Sequence, residues 1–326
     1  MSTTISGEHL AVSAPLVAAK NAAPSRALVL AAYATVYVVW GSTYLAIRYA
    51  VETIPPFVMA GARFILAGMI LILWAKWRDG ARATASNWRA AAIAGALLLA
   101  FGNGAVVWAE QRVPSGLTAL LVSAVPLWMV LAEWLRPRGK RPTLGVAIGI
   151  AVGMAGIVLL IGPGSIGGAH VDPGGAAALV FGSLSWAIGS LYSREADLPS
   201  NPIFATGMEM FAGGAVLWLG ALLAGEWHRL DLTRATPASL GGFFYLVVFG
   251  SLIGFTAFAW LLRVSSPAKV STYAFVNPVI AVLLGWAIAH EPVGPRTIVA
   301  AAIIVGAVAL ITLAKGKRVA ARTSRR

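Results

Sequence analysis

Residues 144–161 read LGVAIGIAVGMAGIVLLI, eighteen consecutive residues without a charged or polar side chain. The hydrocarbon core of a bilayer is about 30 Å thick, and about 20 such residues in a helix cross it. Nine further, mostly apolar runs lie on either side. A backbone in lipid must satisfy its own hydrogen bonds, so we predict that all ten runs are helices. The ten predicted spans are 28–50, 55–75, 89–109, 114–135, 143–162, 174–193, 203–224, 238–262, 268–289 and 296–314.

The composition of the 326-residue chain excludes a soluble protein. Hydrophobic residues make up 59% and charged residues 11%, whereas a soluble domain carries about 25% charged residues. The net charge of +13 could suggest nucleic-acid binding, but the basic residues lie in short loops between apolar runs rather than on one folded face. We therefore expect the lipid bilayer as partner and no nucleic acid. Cysteine is absent and the four histidines are scattered, so no metal site is expected.

The distribution of Lys and Arg predicts the orientation. With ten spans, nineteen of the 25 basic residues fall on the side that carries both termini, and five fall on the other side. By the positive-inside rule, both termini are cytoplasmic in a bacterial-type inner membrane. Residues 1–27 are then a flexible cytoplasmic tail, and residues 315–326 are a basic cytoplasmic tail.

The two halves of the chain resemble each other. Spans 1–2 match spans 6–7 at an offset of 146 residues, spans 3–4 match spans 8–9 at 152, and spans 5 and 10 match at 150. The matches in residue types that rarely coincide by chance are Trp40/Trp186, Arg48/Arg194, Pro56/Pro202, Gly61/Gly207, Gly68/Gly214, Gly102/Gly254, Trp108/Trp260 and Pro126/Pro278.

A repeat of five spans has a structural consequence, because an odd number makes the second copy enter the membrane upside down. Two inverted copies, 28–162 and 174–314, are related by a pseudo-two-fold axis in the membrane plane, a layout typical of secondary transporters. The predicted fold class is therefore an all-α integral membrane protein with ten transmembrane helices in two inverted five-helix repeats.

Several stretches resemble the EamA family of the drug/metabolite transporter superfamily. They are VVWGSTYLAIRYA (38–50), PPFVMAGARFILAG (55–68), SGLTALLVSAVPLWMVLAEW (115–134), SPAKVSTYAFVNPVIAVLLGWAIAHEPV (266–293) and GAVALI (306–311). The resemblance covers about residues 28–314. It implies ten helices, an inner cavity formed mostly by spans 1, 3, 4, 6, 8 and 9, peripheral spans 5 and 10, no cofactor, and export of small metabolites or drugs.

Aromatic and amide side chains inside the spans are the candidate cargo-binding groups. Aromatic walls suit flat, apolar or cationic compounds, through stacking and cation–π attraction, and a buried amide needs a polar partner. The alternatives are ordinary helix packing for the aromatic rings and structural interhelical hydrogen bonds for the amides. The candidates are Trp40, Tyr44, Asn103, Trp108, Trp186, Trp260, Tyr273 and Asn277.

Two prolines and two charges complete the candidate site. Pro126 and Pro278 lie near mid-span, where a proline frees a backbone carbonyl and kinks the helix, so each is a hinge or a shape-only kink. Arg63 and Glu209 lie inside spans at equivalent positions. Glu209 could carry a proton, Arg63 could attract anionic cargo, and either could be structural. The acids at span ends, including Glu110 and the His290–Glu291 pair, are expected at the solvated interface, with a gate or proton site as the alternative for the pair.

These features predict a secondary transporter that moves small organic molecules, such as amino acids or amphiphilic aromatic compounds, by alternating access. No nucleotide-binding G-x-x-x-x-G-K-[ST] loop occurs, so gradients of cargo or protons supply the energy. A lipid-linked sugar flippase of the same superfamily is the main alternative. A membrane-embedded enzyme would need convergent catalytic groups within the membrane, and a passive channel would need a continuous pore. The oligomeric state stays open.

Overall fold

The fold is entirely helical within the residues that the computed structural model describes, which are 24–136, 141–161, 172–265, 267–270 and 272–323, with side chains to residue 311 in the last helix. The principal helices are α1 Arg26–Ala50, α2 Pro56–Asp79, α3 Ala85–Ala109, α4 Ser115–Leu135, α5 Leu144–Ile161, α6 Pro173–Ser193, α7 Pro202–Leu223, α8 Pro237–Val264, α9 Tyr273–Ala289 and α10 Pro295–Thr323. Most of the 1–27 tail lies outside these residues.

Every predicted span coincides with a principal helix. Eight, α1 to α8, are long and apolar enough to cross a bilayer, and Tyr273–Ala289 and Pro295–Ile311 are shorter apolar helices. The differences lie at helix ends, and the largest is in α10, which continues to Thr323 into the predicted 315–326 tail instead of ending at 314. α2 continues past the predicted end at 75 through a charged turn, until Gly80 adopts the left-handed conformation (φ 61°) that commonly ends a helix. α9 begins at Tyr273 rather than 268, because residues Pro267–Val270 form a separate short helix.

Three of the long helices are interrupted. α3 and α8 each contain an eight-residue π-helical segment, Ala96–Asn103 and Leu246–Ile253. α4 breaks between Val122 and Val125, and Pro126 stands in the first turn after the break. Pro278 differs, because it lies inside the helix that runs from Tyr273 to Ala289. The two prolines are therefore not equivalent: Pro126 follows its helix break directly, whereas Pro278 stands in the second turn of its helix.

α2 and α7 cross in close contact through glycines. A Cβ atom added to Gly68 would lie 2.6 Å from the carbonyl oxygen of Gly207, and one added to Gly214 would lie 3.0 Å from the carbonyl oxygen of Gly61. Small residues at such crossings let two backbones approach closely. The two contacts are reciprocal at the offset of 146, because Gly61 corresponds to Gly207 and Gly68 to Gly214.

α2 begins without a capping side chain of its own, because its N-cap residue is Pro55. Glu226, from the connection after α7, supplies the acceptor: its Oε2 accepts hydrogen bonds from the backbone N–H groups of Phe57 (2.8 Å) and Val58 (3.0 Å). A carboxylate at a helix N-terminus satisfies free donors and complements the helix dipole. The start of α2 is thereby tied to the connection that follows α7.

The connections divide between two ends of the helix bundle. Arg48 pairs with Glu291 across the connections that follow α1 and α9, and Thr53 accepts a hydrogen bond from the backbone N–H of Thr236. We call this the Arg48 end. At the opposite end, the Asn87 amide donates to the Asp197 carbonyl and Arg136 pairs with Glu195. The helices therefore alternate in direction between the two ends.

Candidate functional site

An aromatic cluster surrounds Trp40 in the middle of α1. Its ring centroid lies 5.1 Å from that of Phe255, 5.0 Å from that of Phe258 and 5.2 Å from that of Tyr273, at interplanar angles between 41° and 83°. These tilted and edge-on arrangements are the favourable ones for aromatic pairs. Trp260 packs, like Trp40 and Tyr273, against the buried apolar residues beside this cluster. Trp40 and Tyr273 are therefore in ring contact between α1 and α9, and Trp260 packs nearby on α8.

Both π segments receive a hydrogen bond from a helix of the other half of the chain. The Trp40 indole donates from Nε1 to the carbonyl of Gly250 at 3.2 Å, and the Ser185 hydroxyl donates to the carbonyl of Leu97 at 2.7 Å. The wide turn of a π-helix loosens the regular backbone ladder, and such turns are frequent at functional sites. The equivalent helices α1 and α6 thus each bind the π segment that lies opposite.

The two equivalent tryptophans of α1 and α6 make equivalent packing contacts. A Cβ atom on Gly254 would lie 2.5 Å from Nε1 of Trp40, and one on Gly102 would lie 3.1 Å from Cε3 of Trp186. Each glycine therefore makes room for an indole ring from the other half. Trp186 is half-buried against the main core rather than in the Trp40 cluster, so the aromatic candidates form more than one group.

The remaining aromatic candidates lie towards the Arg48 end. Trp108 is half-buried and its ring is covered by the Arg112 guanidinium, 4.2 Å from the ring centroid. Such a cation–π contact is favourable at a membrane-facing or interfacial position. Tyr44 is half-buried against the main core and lies close enough to Glu110 and Tyr273 for electrostatic interaction.

The two candidate amides have different surroundings. Asn277 is buried, and with its amide nitrogen oriented towards the two available acceptors it donates to the carbonyls of Tyr37 and Tyr273, both at 3.3 Å. The bond to Tyr37 joins α9 to α1, as expected if Asn277 makes a structural interhelical hydrogen bond rather than binding cargo. Asn103 ends the first π segment, and its buried Oδ1 has no hydrogen-bond partner among the described residues. Of the two amides, Asn103 has an acceptor left for a ligand.

Arg63 and Glu209 do not form an ion pair with each other, and within the described chain they have separate partners. The Arg63 side chain is 3% exposed, donates from Nε to the Ser251 hydroxyl at 2.9 Å and leaves Nη1 without a hydrogen-bond partner. Glu209 is half-buried and accepts a hydrogen bond from the Ser193 hydroxyl at 3.2 Å. Ser251 follows Gly250, so Arg63 and Trp40 bind adjacent residues of the second π segment.

The Arg48 end contains an acid that the sequence interpretation placed in solvent. Glu291 is only 5% exposed, so that expectation is wrong. Its Oε1 accepts hydrogen bonds from the backbone N–H and the hydroxyl of Ser115, both at 2.8 Å, and pairs with Arg48, while its Oε2 accepts from the Gly116 N–H at 3.0 Å. The carboxylate therefore joins the end of α1, the start of α4 and the end of α9.

Glu110 was also expected at the interface and is instead 5% exposed, one residue beyond the end of α3. Neither of its carboxylate oxygens has a hydrogen-bond partner of standard geometry among the described residues. Burial raises the pKa of Glu110 well above its ordinary value, Glu291 raises this pKa further, and Arg48 and Arg63 lower it. This burial could not be predicted from the sequence, because it arises where the ends of distant helices meet.

Sequence comparison covers both halves of this helical architecture. The EamA-like transporter family matches residues 26–162 and again residues 173–313. The chain belongs to the EamA-like transporter family. The two matches divide this EamA-like chain close to the predicted boundary between residues 162 and 174, so each half of the fold is one family unit.

Relatives along the whole chain agree with this family. An uncharacterized inner membrane transporter of Escherichia coli (strain K12), YedA, is 42% identical over 283 residues, which cover 86% of this chain and 89% of YedA. Protein PecM of Dickeya dadantii (strain 3937) is 29% identical, covering 84% and 88% of the two chains. A solved crystal structure with 21% identity superposes with a TM-score of 0.60 over 89% of this chain and 98% of its own, which shows a shared fold.

Proposed function

We propose that this EamA-like protein is a secondary transporter that exports small organic molecules by alternating access, with ten helices crossing the membrane as two inverted halves. The observation that carries the proposal is the reciprocity of contacts between the halves. Gly61 with Gly214 mirrors Gly207 with Gly68, and Trp40 on Gly254 mirrors Trp186 on Gly102. In a two-fold relation, each contact from the first half to the second has a counterpart from the second half to the first.

Such a relation supplies a mechanism. When two equivalent halves adopt slightly different conformations, one end of the space between them is open, and exchanging the two conformations opens the other end. The two states have similar energies because they are built from the same contacts with the roles reversed. The α2–α7 glycine crossing lies between the halves and is suited to act as their common pivot.

The chemistry of the interior favours an amphiphilic cargo. The Trp40 cluster offers apolar ring faces, while Asn103 Oδ1 and Arg63 Nη1 are polar atoms without partners among the described residues. Ligand sites commonly combine aromatic walls with a few such polar groups. We infer a small organic molecule with a flat or apolar body and at least one polar group.

The cellular setting follows from the relatives and from the charges. YedA is described as an inner membrane transporter, and nineteen of 25 basic residues lie on the side of the termini. We infer a multi-pass inner-membrane protein with both termini in the cytoplasm. In that orientation the Arg48 end faces outwards, and the names of the relatives favour transport over a membrane-embedded enzyme.

The test is uptake by the purified protein in liposomes. Isotopically labelled pools of amino acids, amines, aromatic compounds and nucleobases are presented with and without an opposing gradient of the unlabelled compound. We expect saturable uptake of at least one pool that is accelerated by unlabelled compound on the opposite side, because alternating access exchanges cargo. Uptake that does not saturate and shows no such acceleration would indicate a channel, and no uptake of any pool would contradict the proposal.

A further inference from the structure

We propose that Glu110 is the proton-binding group that couples transport to a pH gradient, and that its charge controls the Arg48–Glu291 ion pair at one end of the protein. This inference rests on the proposed transport function. It starts from the different surroundings of two buried acids, Glu110 and Glu291, at the same end of the bundle.

Glu291 has polar partners at both of its carboxylate oxygens. Three hydrogen bonds from Ser115 and Gly116 and the ion pair with Arg48 satisfy both of its oxygens. Two of the donors are backbone N–H groups at the start of α4, where a helix N-terminus favours negative charge. These charge-assisted bonds join the start of α4 to Arg48 and to the end of α9.

Glu110 has the opposite environment. It is as deeply buried as Glu291, and neither of its oxygens receives a donor of standard geometry from the described residues. A buried carboxylate without well-placed donors is costly and readily takes a proton. A buried acid without such donors beside a fully paired one is the pattern of two acids with different roles.

The charged and titratable groups that face Glu110 explain how a change in its charge would affect the Arg48–Glu291 ion pair. Tyr44 and Arg48 come from α1, Arg63 comes from α2, and Glu291 follows α9, and each interacts electrostatically with Glu110. Arg48 is the shared member, because it pairs with Glu291 while lying near Glu110. The Arg48 side chain is about a third exposed, so it is not locked by packing on all sides and has room to shift between the two acids.

The proton step is simple. One Glu110 oxygen takes a proton from the adjacent compartment and forms an O–H bond, and the negative charge disappears. Arg48 then has one carboxylate to pair with, Glu291, and the ends of α1, α4 and α9 stay joined. When the proton leaves, the Glu110 carboxylate competes for Arg48, the bond to Glu291 weakens and this end loosens.

This order of events fits exchange of cargo for protons. With the Arg48 end outwards, the open state carries ionised Glu110, releases cargo and accepts a proton from outside. Proton binding closes that end, and release of the proton to the cytoplasm prepares the next outward step. Glu209, the other candidate for the proton, lies inside α7 in the half of the bundle away from the Arg48 end and accepts a hydrogen bond from the Ser193 hydroxyl.

The first measurement needs no cargo. Infrared difference spectra of the purified protein report protonated carboxyl groups as the pH is changed. We expect a titrating component of the carboxyl band in the wild type that is lost in Glu110→Gln and retained in the controls Glu209→Gln and Glu226→Gln. Spectra of Glu110→Gln that match those of the wild type at every pH overturn the assignment. If Glu110→Gln does not fold, Glu110→Asp replaces it, and a titration midpoint unchanged from the wild type overturns the assignment.

The second measurement follows the opening of the Arg48 end as a distance between two labelled residues. The chain has no cysteine, so spin labels can be placed at Gln111→Cys and Pro292→Cys, two exposed positions on either side of the Arg48–Glu291 pair. Pulsed distance measurements should show a longer distance as the pH rises, and a constant short distance in Glu110→Gln. The same pH-dependent change in Glu110→Gln would overturn the control of this end by Glu110.

Transport separates this inference from the proposed function. In one-for-one exchange, a gradient of one pH unit supports an accumulation of about tenfold. For whichever labelled pool the wild type transports, Glu110→Gln should keep exchange of labelled for unlabelled compound but lose accumulation driven by pH. A Glu110→Gln protein that still accumulates cargo overturns the coupling role. A wild type that moves no compound refutes the transport function, while the infrared and distance measurements still decide on Glu110.

Discussion

The crossing of α2 and α7 should be intolerant of a single methyl group on Gly68. In Gly68→Ala, the new Cβ atom would lie 2.6 Å from both the carbonyl oxygen of Gly207 and the backbone nitrogen of Phe211, whereas ordinary contacts begin at 3.4 Å. Both obstacles are backbone atoms, which cannot rotate away. The helices must therefore separate by several tenths of an ångström along the crossing.

The magnitude follows from overpacking, which costs about 1–3 kcal/mol in a well-packed interior. Replacing glycine by alanine inside a helix also gains about 0.5–1 kcal/mol, so a matched control is needed. Gly220→Ala on α7 serves, because a Cβ atom there meets nothing within 4 Å. The propensity gain is common to both variants, and the difference between them should be the overpacking cost of about 1–3 kcal/mol.

The assay is unfolding in detergent micelles, followed by the loss of helical circular dichroism under one denaturant series for both variants. Gly68→Ala should unfold at a lower denaturant concentration than the wild type, and Gly220→Ala at the same or a higher one. Equal midpoints for the two alanine variants would refute the close crossing. Gly207→Ala offers a milder version, since its Cβ atom would lie 3.0 Å from the carbonyl oxygen of Gly68.

Three other predictions concern cargo, pH and orientation. Trp40→Ala should weaken the apparent affinity for every transported compound, by about tenfold for each 1.4 kcal/mol of contact energy that is lost. Trp40→Phe keeps an aromatic ring and should weaken the affinity less. Unchanged affinity in both variants would show that Trp40 does not contact the cargo. Burial raises the pKa of Glu226 above its ordinary value of 4.5, so the folded state holds the proton more tightly than the unfolded state. This contribution to the stability of the fold is complete below pH 4.5 and is lost as the pH rises through the raised pKa. The thermal midpoint of the wild type should therefore fall relative to that of Glu226→Gln over this range, and parallel pH profiles of the two proteins would contradict the prediction. Tags at the two termini should both be protected from protease added outside intact cells; termini on different faces would contradict the inverted repeat.

The sequence was sufficient for the course of the helices. Hydrophobic runs gave every principal helix, and the predicted start and end of α3 to α8 lie within four residues of those observed. The reason is physical: in lipid, an apolar run of the right length has no alternative to a helix. Trp40, Tyr273 and Trp260 were all among the candidate cargo-binding residues, because each is an aromatic side chain inside an apolar span.

The polar interior could not be predicted to the same degree. Glu110 and Glu291 stand at helix ends, where a charged residue is usually solvated, and their burial depends on how α1, α4 and α9 converge. Asn277 was a candidate for cargo, yet its amide bridges two backbone carbonyls of α1 and α9. Phe255 and Phe258, which complete the Trp40 cluster, were indistinguishable from other apolar residues because their role comes only from contact across helices.

The two π segments change how faces of α3 and α8 should be assigned. Each residue that a π turn adds rotates everything after it by about 100° compared with an uninterrupted α-helix. A helical wheel drawn straight through α3 or α8 will therefore misplace every side chain beyond Asn103 or Ile253. When variants of these helices are designed, the wheel has to be restarted at Gly104 and at Gly254.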